Sequence, residues 1–438
     1  MKENSGSALW CKAKKIIPGG NQLLSKRSEQ FLPDFWPAYY RKARGVNVWD
    51  LDNNCYTDMS IMGVGACPLG YADPDVDAAV MGQIENGSMS TLNSPCEVEL
   101  AEKLVSLHPW SEQVRFARCG GEAMAIAVRI ARARTQKDVV AFCGYHGWHD
   151  WYLAANLADD RNLDGHLLPG LAPSGVPRVL KGTSLPFQYN HDDQLGAIAD
   201  NNKDNLAAVI MEPIRDHIPD PGFIKNVQKI AKENDAVLIV DEVSSGFRLR
   251  TGGAHTLYGL NPDIAVFAKA ISNGYPMAAI IGKEDVMQSA QDTFISSTYW
   301  TEGIGFAAAL ATIEKYERCN VADHLINTGT AIQNGWQSVS RQSGLPIEIG
   351  GIPPLSHFSF TNENGLKMQT LFTQLMLERG FLASKSFYSC YAHTPEHVRG
   401  YLEAAGAVFD EIARALNKNN LDSMLKGPEV KPGFRRLT

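Results

Sequence analysis

An α/β architecture, with helices covering a largely parallel sheet, is the fold class predicted by this sequence of 438 residues. Three observations carry it. Hydrophobic residues make up 44% and charged residues 20% of the chain, an ordinary globular balance that excludes collagen-like, mucin-like and wholly disordered classes. At roughly 150 residues per domain, the length allows two or three domains. From about residue 61 to 300, amphipathic helical stretches (VELAEKLVSLH, AMAIAVRIARART) alternate with short apolar, β-rich runs (DVVAFCG, LAAVIMEPI, AVLIVDEV, DIAVFAKA). That rhythm is the one expected of strands with covering helices between them.

Residues 1–60 read as a helix, a loop rich in proline and aromatics, and a strand pair in VNVWDLDNNCYTDM turned at Asp52-Asn53-Asn54. This segment is too small to stand alone and is expected to join a smaller domain. Residues 61–305 form the large domain. Within it the periodicity lapses between 151 and 190, where Asp, Gly, Pro and Ser dominate; structureless connections of this length tend to be functional. A long helix, GIGFAAALATIEKYER, runs from about 303 to 318, ends before Asn320 and leads out of the sheet. Residues 306–426 then mix helices with the strands LPIEIGG and LSHFSFTN and close on the helix PEHVRGYLEAAGAVFDEIARAL, an α+β pattern for the small domain. The polar stretch 427–438 is a tail.

A net charge of −7 offers no basic field for a phosphate backbone, so nucleic acid is not an expected partner and small molecules are. The chain has no apolar run of 18 residues, and its first residues, MKENSGSALWCKAKK, lack the core of a signal peptide. No membrane span and a cytoplasmic location are therefore expected. The eight cysteines are scattered without a C-x-x-C pair and read as reduced thiols, with no metal site among them.

The sharpest chemical signal is an acid ending one apolar run and a lysine ending the next. In AVLIVDEVSSGFR the run from Ala236 to Val240 leads into Asp241, and in PDIAVFAKAISNGYP another delivers Lys269. Both fall where open α/β sheets bind ligands. A lysine held out of water loses its proton readily and becomes a nucleophilic amine. Pyridoxal phosphate asks for both groups: a lysine for its aldehyde and a carboxylate for its pyridinium nitrogen. On these two residues alone, a structural Asp–Lys ion pair fits equally well. A phosphate cradle is offered by RFARCGGEAMAIAVRIARA, where Cys119-Gly120-Gly121 lies between a strand and the helix opened by Glu122. Tyr145-His146-Gly147 follows another strand and offers an aromatic face to a flat ring. Gly63-Val64-Gly65 does not make a dinucleotide fingerprint, and His146, His149 and Asp150 have too few companions for a metal.

With these pieces in order, the sequence resembles the class III, fold-type I pyridoxal-phosphate aminotransferases, most closely their glutamate-1-semialdehyde aminomutase branch, over roughly residues 15–415. The anchors are PGG at Pro18–Gly20, VWDLDNNCYTDM, CGGEA, YHG, MEP at Met211-Glu212-Pro213, DEVSSGFR, PDIAVFAKAISNGYP, STYWTE and AHT at Ala392–Thr394. The resemblance implies that Lys269 bonds the cofactor aldehyde and then shuttles protons, that Asp241 holds the ring nitrogen, and that Val243 packs on the ring. It implies that Cys119, Gly120 and Gly121 form the phosphate turn, that Tyr145 stacks on the ring, and that Glu212 supports the site. Thr298 resembles the residue reaching the phosphate from a second subunit, which implies a homodimer with shared active sites; Ser297 and Thr298 also read as a cap for the following helix.

Departures bear on the substrate. The branch's Ser-Gly-Thr turn is replaced by Cys119-Gly120-Gly121, which leaves mainly backbone contacts for the phosphate. The carboxylate-binding arginine after PGG has only Lys26 or Arg27 as a counterpart, and an acidic residue is missing from SKSFYSCYAHT. Arg27 and His146 are the candidate substrate contacts. The expected activity is amino transfer from a small-molecule donor to a keto or aldehyde acceptor other than glutamate semialdehyde. The PDFWPAYY segment could wall a sugar-like ring, and 151–190 could serve as a lid. Intramolecular transfer, as in an aminomutase, and a silent binding protein on the same scaffold are the alternatives.

Overall fold

The computed structural model describes residues 5–166, 169–216 and 218–433. The chain divides into two compact units, residues 74–322 and the remainder.

In the large unit the apolar runs become strands with both faces covered: Val139–Cys143, Leu206–Met211, Val237–Asp241 and Ile264–Phe267 are buried throughout. Seven strands lie in the order Gln113–Ala117, Ala278–Gly282, Ile264–Phe267, Val237–Asp241, Leu206–Met211, Val139–Cys143, Ser184–Pro186. Ala278–Gly282 is antiparallel to both its neighbours, and every other pairing is parallel. Six strands therefore share one direction, and their C-terminal ends lie along one edge. Cys119, Tyr145, Glu212, Asp241 and Lys269 each end one of these strands or follow its end by one or two residues. One topological fact thus delivers all five to the same edge.

Two strands of this sheet were not anticipated from the sequence. Ala278–Gly282 is five apolar residues behind a Tyr-Pro turn, a run too short for its period to be read. Ser184–Pro186 adds to the sheet edge at the end of the 151–190 stretch, where proline's missing N–H is tolerated. That stretch also holds the helix Asp150–Leu153 and 3₁₀ turns at Ala154–Leu157 and Arg178–Leu180. It is anchored rather than loose over its described residues. Buried Leu163 enters the core, and its N–H donates to Asn156 Oδ1 at 3.0 Å.

The helix Gly303–Cys319 belongs to the large unit, so the division falls at 322/323 instead of the expected 305/306, and at 73/74 instead of 60/61. The helix buries Phe306, Ala309, Ile313 and Tyr316, sets Phe306 edge-on to Phe116 at 5.0 Å, and pairs Lys315 and Arg318 with Asp75. Its N-cap is Glu302, whose carboxylate accepts from the Ile304 and Gly305 N–H groups; Ser297 and Thr298 are not the cap. Asn320 closes it in the left-handed conformation at φ +48°.

The other unit holds two small sheets. Tyr40–Arg44, Asn47–Asp50 and Cys55–Asp58 form an antiparallel set joined by Phe381–Leu382, and Asp50 Oδ1 ties the 52–54 turn by accepting from Asp52 and Asn54 N–H. Ile347–Gly350, Leu355–Phe360 and Ser386–Tyr388 form the second. Helices Gly365–Glu378 and Pro395–Asn417 pack over a core of Trp336, Phe358, Phe372, Tyr401 and Phe409. The last five residues of the expected tail lie outside the described residues.

Phe306 is fully buried, whereas Val179 is 85% exposed. Chemical denaturation is expected to show Phe306→Ala losing ~3–5 kcal/mol, with Val179→Ala staying within about 0.5 kcal/mol of the parent.

Candidate active site

Asp241 closes its strand and is 3% exposed. A carboxylate so withdrawn needs partners, and it has two. Its Oδ1 accepts the Val243 N–H at 2.9 Å, and its Oδ2 lies 2.7 Å from His146 Nδ1. The other ring nitrogen of His146, Nε2, donates to the Cys143 carbonyl at 3.0 Å, and a carbonyl can only accept, so Nε2 carries a hydrogen. The His146 ring is 1% exposed and committed on both nitrogens. Its place is behind Asp241, and the substrate contact expected of it gives way to this supporting one.

Lys269 opens a 3₁₀ turn two residues beyond its strand, with φ at +49°. A left-handed backbone costs a residue with a Cβ roughly 1–2 kcal/mol, so packing holds this lysine where it is. Its Nζ donates to Ser244 Oγ at 2.9 Å. Among the described residues no ion pair joins Lys269 to Asp241, because each has its own partners. The structural Asp–Lys pair that the sequence left open does not form. Burial, then the Arg248 guanidinium, lowers the Lys269 pKa from 10.5 to about 8, against the opposing fields of Asp241 and Glu212.

The glycine turn follows from close packing. A Cβ on Gly120 would stand 2.8 Å from Val243 Cγ1, and one on Gly147, at φ +104°, would stand 2.8 Å from Gly121 Cα. Any larger residue would displace Val243 or part the two turns. Cys119 is the N-cap of the helix Gly120–Thr135 but makes no side-chain cap bond, and burial and Glu122 raise its thiol pKa. The first turn thus presents backbone N–H groups at the positive end of the helix. Glu122 accepts the Arg118 N–H at 2.9 Å, and the Arg118 guanidinium donates to the Trp300 and Glu302 carbonyls at 3.1 and 2.7 Å. Arg118 therefore ties the glycine turn to the 298–302 loop, on which Thr298 is exposed in a 3₁₀ turn.

Tyr145 is partly buried, donates its N–H to Glu212 Oε2 at 3.3 Å and meets Tyr152 edge-on at 5.8 Å. Glu212, 3% exposed, also accepts from Arg215 Nη1 at 3.1 Å. Arg27 lies in the other unit, where its guanidinium covers Gly19 so closely that a Cβ there would be 2.3 Å from Nη2.

Motif reading missed Ser244, Arg248, Arg118 and a network behind Asp241. The adjacent Glu242 is fully buried. It accepts from the His255 N–H and Nδ1 at 2.7 Å each and from Ser245 Oγ at 2.6 Å, and His255 Nε2 accepts from Trp110 Nε1 at 3.0 Å. A usable signal existed in DEVSSGFR itself: a buried acid and an arginine within eight residues require internal partners.

The edge thus offers an amine held by a hydroxyl instead of a carboxylate, a fixed carboxylate with lone pairs left to accept, and a helix start opened by two glycines. This donor set fits a flat, phosphorylated aldehyde with a ring nitrogen.

The sequence matches the family model described as aminotransferase class-III over residues 33–386. It is 34% identical over 429 residues to a 3-aminobutyryl-CoA aminotransferase of Cloacimonas acidaminovorans (strain Evry), covering 95% of this chain and 99% of that protein. It is 31% identical over 425 residues to a glutamate-1-semialdehyde 2,1-aminomutase of Nitrosopumilus maritimus (strain SCM1), covering 91% and 97%. The solved structure of the PLP internal aldimine form of the Sphingopyxis sp. MTA144 FumI protein superposes with a TM-score of 0.85 at 24% identity, covering 94% and 97%. Motif, fold and full-length likeness agree: the chain belongs to the class-III aminotransferase family, has the fold-type I architecture, and uses pyridoxal phosphate.

Proposed function

We propose that this edge binds pyridoxal phosphate and moves an amino group from a small-molecule donor to a keto or aldehyde acceptor other than glutamate semialdehyde. The observation that carries the reading is that two oppositely charged groups at one sheet edge, a buried carboxylate and a half-buried amine, are held apart. Asp241 is committed to His146 and Val243, and Lys269 to Ser244.

Bound pyridoxal phosphate supplies an electron sink for charge developed at the carbon bearing the substrate nitrogen. The chain supplies the rest. Gly120 and Gly121 hold the phosphate by backbone N–H groups, with Cys119 as the cap. Asp241 accepts a hydrogen bond from the ring nitrogen and keeps it protonated, with His146 fixing the carboxylate from behind. Val243 and Tyr145 flank the ring, and Glu212 fixes the Tyr145 backbone. The Lys269 amine, its pKa near 8, is available both to bond the aldehyde and to carry a proton to and from the substrate carbon. Arg27 is the proposed contact for a substrate carboxylate.

Thr298 is proposed to serve the phosphate of a second subunit, giving a homodimer with two shared sites. Eight free cysteines support a reducing, cytoplasmic location, and among the described residues no helix is long and apolar enough to cross a membrane. A second reading, return of the amine to the same skeleton, is favoured by the likeness to aminomutases. A nitrogen-labelled donor separates the two. Label in a second molecule is the expected result, and label confined to one skeleton identifies a mutase.

Two further outcomes are expected. Borohydride should fix the cofactor covalently to the parent protein and not to Lys269→Ala; equal fixation would remove the lysine from its role. The second concerns the apoprotein. Since the folded-state pKa of Lys269 is lowered from 10.5 to about 8, only the unfolded chain holds the proton within that interval, and stability rises as pH climbs through it. Lys269→Met should therefore stabilise the apoprotein near neutral pH, by at most roughly 3 kcal/mol at about 1.36 per pKa unit. Denaturant titration should show the gain disappear once the pH exceeds 10.5.

A further inference from the structure

Ser244 belongs to no motif role assigned above, yet it is the hydrogen-bond partner of the Lys269 amine. Its position is enforced from several sides. The Ser244 carbonyl accepts from Arg248 Nε at 2.6 Å, and Arg248 is 1% exposed. One residue earlier, the Val243 N–H is bound to Asp241; one residue later, the Ser245 hydroxyl is bound to Glu242. The turn is closed by the Gly246 N–H on the Glu242 carbonyl at 2.8 Å, where a Cβ on Gly246 would stand 2.6 Å from that same carbonyl oxygen. The serine hydroxyl is therefore presented at a fixed point, and the left-handed backbone of Lys269 fixes the approach of the amine.

We propose that the Ser244 hydroxyl is the positioning partner of Lys269, holding Nζ in one place and one orientation whenever that nitrogen is free. The proposal rests on the reading of Lys269 as the cofactor lysine. A hydroxyl suits the task because it accepts from an ammonium N–H and donates to the lone pair of a neutral amine. A carboxylate in its place would trap the ammonium form, and an apolar side chain would leave the amine free to rotate away from the reacting carbon. Arg248 contributes twice. It anchors the Ser244 carbonyl, and its positive charge adds to the effect of burial in disfavouring the ammonium. Placement of the amine and part of the field on it thus come from one turn.

The test follows covalent capture of pyridoxal phosphate by the apoprotein, by absorbance and by borohydride fixation, from neutral to alkaline pH. Ser244→Ala is expected to lower the plateau rate about tenfold, the factor one hydrogen bond supplies. It should also move the midpoint of the pH profile to the acid side, since the buried ammonium loses an acceptor. Ser244→Thr keeps the hydroxyl and is expected to restore both rate and midpoint. Ser244→Cys keeps the volume but bonds weakly, and is expected to follow alanine. The amount of cofactor finally fixed should be unchanged in all three, which shows that the fold persists. A Ser244→Ala or Ser244→Cys profile superimposable on the parent's, or a Ser244→Thr variant as impaired as Ser244→Ala, overturns the proposal. Lys269→Ala run in parallel separates the two claims: if it still fixes cofactor, the lysine reading has failed. If it fixes none while Ser244→Ala matches the parent, only the role of the serine has failed.

Discussion

The active edge depends on keeping a buried carboxylate and a half-buried amine from neutralising each other. A carboxylate and an amine withdrawn from water attract strongly, and the cheapest arrangement would be a direct pair. Here that arrangement is prevented by giving each group prior commitments. Asp241 is bound by the Val243 N–H and by His146, and Lys269 by a serine hydroxyl under the field of Arg248. The amine therefore stays close to losing its proton, and the carboxylate keeps acceptor capacity in reserve. Such a site is less stable than it could be, the trade that functional sites commonly make.

Geometry makes this separation durable. Six strands running one way bring five loops to a single edge, and three of those loops interlock without side chains intervening: Gly120 under Val243, and Gly121 against Gly147. The helix start thus lies as near the Asp241 turn as van der Waals contact allows. Lys269 takes a left-handed backbone two residues beyond a fully buried strand, as Phe247 does at the end of the Asp241 turn. A residue with a Cβ held in this conformation fits the general pattern in which the surrounding packing over-determines the backbone.

Much of this was legible in the sequence because burial and charge leave marks. The apolar runs ending in Asp241 and near Lys269 announce both the strands and their functional edge, and Gly120-Gly121 before an amphipathic stretch announces a helix start. What was not legible depended on partners rather than on types. His146 reads as a candidate substrate contact, and only the fold turns it back onto Asp241. Ser244 and Ser245 are identical in type and adjacent, yet one meets Lys269 and the other Glu242, a difference set by the turn's dihedrals. Ala278–Gly282 carries too few residues to reveal its period, and the helix after Gly303 reads as an exit because its buried face, Phe306 to Tyr316, gives no sign of which unit it covers.

The pair Asp241-Glu242 shows how the turn becomes rigid enough for its task. At the end of an extended strand, successive side chains leave on opposite sides. Asp241 accordingly turns toward His146, while Glu242 turns into the interior, where its two oxygens take the His255 N–H, the His255 ring and the Ser245 hydroxyl. His255 in turn accepts from Trp110, and its ring stacks on that of His108 at 5.6 Å. Burial drives the His108 pKa down to about 4, so that ring is neutral at the pH at which Glu242 bonds to His255. The Asp241 turn is thus clamped from both faces of one strand end. The rear clamp occupies both Glu242 oxygens and both His255 ring nitrogens, and that is what lets the front face hold an amine and an acceptor carboxylate without collapsing onto itself.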